Sequence, residues 1–372
     1  MTPVQVLDRA GLDRLIEALS ARGYRVLGPT VRDGTIVYGD LAATADLPVG
    51  WSDRQEPGRY RLVRRDDEAL FGYVVGPQSP KTTLHPADVV IWSGRRTAEG
   101  FATDVLPAPQ PAAFFGARPC EVAAIAIQDK VFLNGHQDAV YGARRREAFV
   151  VAVNCTEPGA TCFCASMGTG PGVKAGFDIA LTEVLEGKEH YFTAEAGSER
   201  GAEILAAAGA AEAKKGQAEK AGKLVDAAAG RMGRTLDTSG LKEMLQANPT
   251  HPQWDEVAKR CLTCANCTLV CPTCFCANVE DATDLSGTVA TRTRRWDSCF
   301  NFEFSYMHGG PLRPGAAARY RQWMTHKLAS WYDQFGTSGC VGCGRCITWC
   351  PVGIDITAEA AAIRASKEVV GA

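Results

Sequence analysis

Cysteine dominates the chemistry open to this chain, and it is concentrated. Residues 261–276 read CLTCANCTLVCPTCFC, and within them Cys261, Cys264, Cys267 and Cys271 are spaced C-x2-C-x2-C-x3-C, followed at once by Pro272. The pattern is written again at 340–351 as CVGCGRCITWCP, with Cys340, Cys343, Cys346 and Cys350 followed by Pro351. Three thiolates on a tight turn can hold three iron corners of a cubane, but the chain leaving through proline has moved too far to close the fourth. A second copy supplies that corner. The spacing therefore predicts two 4Fe-4S clusters, one on Cys261, Cys264, Cys267 and Cys350, the other on Cys271, Cys340, Cys343 and Cys346. Structural zinc also favours paired C-x2-C knuckles, but it leaves the third cysteine of each triplet and the repeated Cys-Pro without a purpose.

The other cysteines divide into two groups. Cys274, Cys276 and Cys299 lie near the runs, where a thiol packs as a small hydrophobe as readily as it serves a cluster, and they stay unassigned. Cys120, Cys155, Cys162 and Cys164 fall at ends of expected elements or in the glycine-rich loop CFCASMGTGPGVKAG. Together they suffice for a third iron-sulfur cluster or for one zinc ion. The same loop permits a flavin or phosphate to approach, although a turn needing positive φ explains its glycines equally well.

These residues must be positioned by the rest of the chain. Leu7, Leu12, Leu15, Ile16 and Leu19 recur at helical spacing up to Gly23, predicting an amphipathic helix. Strands follow at YRVLGPTV and TIVYGDL around Arg32-Asp33-Gly34, then at 59–64, 70–75 and 88–92. AAFFG, EVAAIAIQDKVFL and FVVAVNC form a strand-helix-strand unit that places Cys120 at a helix start and Cys155 at a strand end. GFDIALTEVLEGKEHYFTAEA predicts a strand pair turning at Glu186-Gly187-Lys188. The alanine-rich stretch 199–230 is helical by propensity with a thin apolar face, so exposed helices or a tolerated insertion are expected there. Helices near 239–247 and from Trp254 lead into Cys261. The spacer between the runs is long, helix-compatible and rich in aromatics and in Arg292, Arg294, Arg295, Arg313, Arg319 and Arg321, candidates to offset cluster charge. The fold class expected is α+β: residues 1–240 a mixed α/β docking domain, and 241–372 a helical dicluster ferredoxin domain.

Fifteen cysteines without an export signal argue for metal ligation in a reducing, cytoplasmic setting over a disulfide framework. No stretch approaches the ~18 apolar residues of a membrane span. A formal net charge of −2 gives no global attraction to nucleic acid or membrane. No Walker-type loop, nucleophile elbow or dinucleotide fingerprint appears, and the six histidines are scattered, His308 beside Gly309-Gly310 being the most suggestive. No catalytic centre is expected on the chain itself.

The strings GARPCEVAAIAIQDKVF, YGARRREAFVVAVNC, CFCASMGTGPG and GFDIALTEV, with the two cysteine runs, resemble the beta subunit of cytosolic heterotetrameric nickel-iron hydrogenases of the sulfhydrogenase, NAD(P)-linked type. They are similar, too, to the electron-input chain of anaerobic sulfite reductase. The likeness covers roughly 110–360. It implies an electron-relay subunit between a flavin subunit that handles NAD(P)H and the hydrogenase small and large subunits, and it makes Cys120, Cys155, Cys162 and Cys164 candidates for a third cluster. The alternatives are that sulfite reductase chain, a zinc-stabilised interaction module, and a flavin site in the N-terminal half that oxidises substrate directly.

Overall fold

The computed structural model describes residues 3–187 and 189–366; Lys188, in the expected Glu186-Gly187-Lys188 turn, lies outside them. An eight-stranded mixed sheet organises the N-terminal half. Its centre is parallel: Arg25–Arg32, Ala112–Ala117, Phe149–Val153 and Ile179–Glu186 lie side by side, and antiparallel strands flank them. Ala112–Ala117 and Phe149–Val153 are buried at every residue, as strands covered on both faces must be. Their side chains alternate between two cores. Ala113, Phe115, Phe149, Val151 and Val153 meet Leu12, Leu15, Ile16 and Leu19 of the first helix, while Phe114, Val150 and Ala152 meet Val122 and Ile125 of the helix Pro119–Phe132.

The first helix spans Arg9–Ala21, with Asp8 accepting from the Gly11 amide at its start and Gly23 just beyond its end at φ +84. The chain reverses at Asp33-Gly34, both at positive φ, so that Arg25–Arg32 and Thr35–Asp40 pair antiparallel.

Three sequence expectations change. Residues 70–75 do not form a strand, although they are buried. Their backbone groups are taken by side chains instead of a ladder: the Glu183 carboxylate accepts from the Leu70 and Phe71 amides, Asp53 accepts from Val74, and Arg118 donates to the Phe71 and Tyr73 carbonyls. The alanine-rich stretch is not a surface insertion. Its first helix, Glu199–Ala207, buries Ile204 and Leu205 completely, and Ala211–Glu212 extends the main sheet beside Gln5–Leu7. Both helices keep an exposed face, as expected, and the second, Gln217–Ala229, buries only Ala221 and Ala228.

The spacer between the cysteine runs is not helical throughout. It opens as a β-hairpin, Ala277–Thr283 with Val289–Trp296, and becomes helical only at Ala316–Thr325. The second hairpin strand pairs with Asp88–Thr97, so a strand from before residue 240 joins one from after it in a four-stranded sheet. Behind it, short helices pack Trp254, Tyr320, Trp323, Met324, Ile356 and Ile363 into a separate core. Phe300, Tyr320 and Trp323 are buried there and Trp331 in a neighbouring cluster with Val75 and Val341, which accounts for much of the spacer's aromatic content as core packing. The fold is α+β, and no described helix is long and apolar enough to cross a membrane.

Candidate metal centre

Each cysteine run winds the same way. Cys261–Cys264 and Cys340–Cys343 lie on irregular turns leading into one-turn helices, Asn266–Leu269 and Arg345–Thr348, each entered through a residue at positive φ, Ala265 or Gly344. The turns run in opposite company. Cys261, Cys264, Cys267 and Cys350 line one partly open cavity, together with Tyr320 and Trp323. Cys271 instead sits with Cys340, Cys343 and Cys346, whose sulfurs are close enough for like-charge repulsion to add to the burial that pushes the Cys346 thiol well up. The fourth cysteine of each run thus stands beside the triplet of the other.

The glycines of CVGCGRC have a packing reason. A Cβ at Gly342 would stand 2.6 Å from backbone atoms of Phe163, and one at Gly344 2.5 Å from the Thr161 carbonyl. This brings the 340–346 turn against the 161–164 loop, and the Phe163 amide donates to the Gly342 carbonyl at 2.8 Å.

That loop carries half of the third set. Cys120 stands in the first turn of the helix after Ala112–Ala117, and Cys155 just beyond Phe149–Val153, at the carboxyl ends of adjacent parallel strands where open α/β sheets place their sites. Cys120, Cys155, Cys162 and Cys164 all line one small pocket, with Cys343 of the C-terminal run on its wall. The Arg118 guanidinium, fixed by the Phe71 and Tyr73 carbonyls, lies 3.9 Å from the Cys155 sulfur.

Burial governs the protonation of most of these thiols. Burial pushes the Cys162 and Cys340 thiols up to about 12 and the Cys267 thiol well above its ordinary value. Such thiols keep their protons until a metal displaces them. Cys271 goes the other way: hydrogen bonding from Cys274, and the Lys327 ammonium beside it, hold it well below the usual thiol range against the effect of burial. Burial alone would lower Lys327, but the facing sulfurs of Cys271, Cys274 and Cys340 hold it well above ordinary lysine.

Donors without partners mark where acceptors belong. Among the described residues Tyr320 Oη and Trp323 Nε1 are buried without a hydrogen-bond partner, and both residues line the first cavity. Sulfides of a cluster are such acceptors. Among the described residues no three Cys, His, Asp or Glu side chains close tightly enough to share one metal ion. The donor sets fit cubanes.

Most of the spacer arginines have partners of their own. Arg292 pairs with Asp281, Arg295 with Asp88 and Glu280, Arg294 with Asp138, while Arg319 donates to the Phe300 and Arg313 carbonyls and Arg321 to that of Pro249. None of the spacer arginines hydrogen-bonds a cysteine sulfur among the described residues; Lys327 and Arg118 do so instead. His308 is exposed. Lys81, also unanticipated, reaches from the N-terminal half to the Leu269 and Cys274 carbonyls, with its ammonium over the Trp296 ring.

A family model of the 4Fe-4S dicluster domain matches residues 260–354, a span that contains both cysteine runs. Sulfhydrogenase 2 subunit beta of Pyrococcus furiosus (strain ATCC 43587 / DSM 3638 / JCM 8422 / Vc1) is 34% identical over 257 residues, which is 65% of this chain and 70% of that protein. No solved structure matches. With a relative of that identity covered over more than two thirds of its length, and a dicluster domain where the cysteine runs lie, the chain belongs to the family of sulfhydrogenase beta subunits.

Proposed function

We propose that the chain is the electron-relay subunit of a cytoplasmic hydrogenase complex, passing single electrons between a flavin subunit that handles NAD(P)H and a nickel-iron module. The observation that carries this reading is the run of three cysteine sets, in which the middle one lends a wall residue to the cavity of each of the others. Cys261, Cys264, Cys267 and Cys350 form the outermost, where Cys264 is exposed and Cys346 shares the cavity wall. Cys271, Cys340, Cys343 and Cys346 form the middle, and Cys343 in turn lines the pocket of Cys120, Cys155, Cys162 and Cys164. When bound, 4Fe-4S clusters supply one-electron transfer, and their potentials follow charge, burial and hydrogen bonds to sulfur.

The chain's own contribution is spacing and insulation. Residues 241–372 hold the outer and middle sets, and residues 1–240 hold the inner set and serve docking. Shared walls at Cys346 and Cys343 keep neighbouring sites close, while Trp323, Tyr320 and Phe300 form the buried side of the outer one. No group in the chain is assigned to bond-making chemistry.

Iron, sulfide and zinc per chain, measured on anaerobically purified protein, test this. About twelve irons with equal sulfide are expected, four for each set. About eight would leave the N-terminal cysteines unloaded. Two or three zincs and no visible absorption would replace the relay with a zinc-stabilised interaction module.

A further inference from the structure

Lys327 is buried, with 3% of its surface exposed, and it forms no ion pair with a carboxylate among the described residues. A lone ammonium taken out of water is costly unless its protons are satisfied and a negative group faces it. All three N–H groups find acceptors: Cys271 Sγ at 3.2 Å, Thr273 Oγ1 at 3.0 Å and the Gly339 carbonyl at 3.3 Å. The Thr273 hydroxyl lies 3.1 Å from the same sulfur and 2.6 Å from the Gly339 carbonyl. The side chain comes from a π-helical turn, His326–Ser330, set between the helices Ala316–Thr325 and Trp331–Phe335. The wider turn rotates that residue relative to a regular helix, and such turns recur at functional positions.

Among the described residues the outer cysteine set has no buried ammonium bonded to a sulfur; the cation beside it, Arg260, is half-exposed and paired with Glu359. There the sulfurs of Cys261 and Cys350 receive only neutral backbone amides, from Thr263 at 3.4 Å and Ile354 at 3.3 Å. A positive charge and a hydrogen bond at a ligand sulfur stabilise the more negative, reduced state of a cluster more than its oxidised state. We infer that Lys327 is a positioning residue that sets the middle cluster, ligated by Cys271, Cys340, Cys343 and Cys346, at a higher reduction potential than the outer one. The inference rests on the relay reading. It gives the chain two unequal sites, with the more easily reduced one in the interior.

Redox titration followed by EPR tests it on the full chain, comparing the unsubstituted protein with Lys327→Met and Thr273→Val. Lys327→Met keeps the stem and removes the charge; Thr273→Val removes one hydroxyl and leaves the charge. One cluster should move to more negative potential in Lys327→Met and less far in Thr273→Val, while the other clusters stay in place. If Lys327→Met assembles without its full iron, the Thr273→Val titration carries the test. Cluster signals that fail to move in Thr273→Val and in any iron-replete Lys327→Met, or that move together, overturn the role of Lys327 and leave the relay standing. An unsubstituted protein with no cluster signal overturns the relay itself.

Discussion

Replacing Cys350 by serine should remove about four irons per chain, and the cluster lost should be the one held by the first cysteine run, not by the run in which Cys350 is written. The reason is geometric. Cys350 lines the cavity of Cys261, Cys264 and Cys267, and its sulfur accepts from the Ile354 amide, which orients it toward that triplet. Cys271 makes the reciprocal exchange, its buried sulfur held by Lys327 and Thr273 beside the 340–346 turn. Pairs of substitutions read out the crossing, because two ligands of one cluster cost no more than one. Cys350→Ser with Cys264→Ser should lose about four irons, whereas Cys350→Ser with Cys340→Ser should lose about eight. The opposite ranking would mean that each run closes its own cluster.

The second large effect concerns stability. Glu121→Ala should lower the unfolding free energy by about 3–5 kcal/mol, the cost of leaving a buried charge without its partner. Glu121 and Arg345 are 2% and 1% exposed and paired at 2.5 Å. The carboxylate also accepts from the Arg118 amide and the Tyr38 hydroxyl, and Arg345 donates to the Gly76 and Gln78 carbonyls. One pair therefore ties the helix that carries Cys120 to the turn that carries Cys343 and Cys346. Urea unfolding of Glu121→Ala, Arg345→Met and the double variant measures the coupling. The double variant should lose less than the two single losses combined, since neither charge is then stranded. Additive losses would show that the two residues act independently.

What the sequence makes legible follows the distance over which each signal acts. The two cysteine runs, the first helix and the strands Ala112–Ala117 and Phe149–Val153 are written in local spacing and apolar runs, and the helix and both strands appear where expected. The meeting of Cys120, Cys155, Cys162 and Cys164 is open on spacing alone, because adjacent parallel strands bring them together. Residues 70–75 carry a strand's composition, but their amides are claimed by Glu183, more than a hundred positions away. Ile204 and Leu205 are too few to announce a buried helix, yet both are fully buried. The spacer arginines stand out by number but serve ion pairs and carbonyls, while Lys327, a single residue without a motif, contacts a sulfur.

The EPR spectrum of the anaerobic, dithionite-reduced chain tests the row of cysteine sets most directly. Reduced clusters whose ligands share walls at Cys343 and Cys346 must feel each other's unpaired spins. A broadened spectrum of mutually interacting 4Fe-4S signals is expected. Sharp, independent signals would mean that the sites are too far apart to form a relay, and a silent spectrum from a colourless protein would mean that these cysteines do not hold iron.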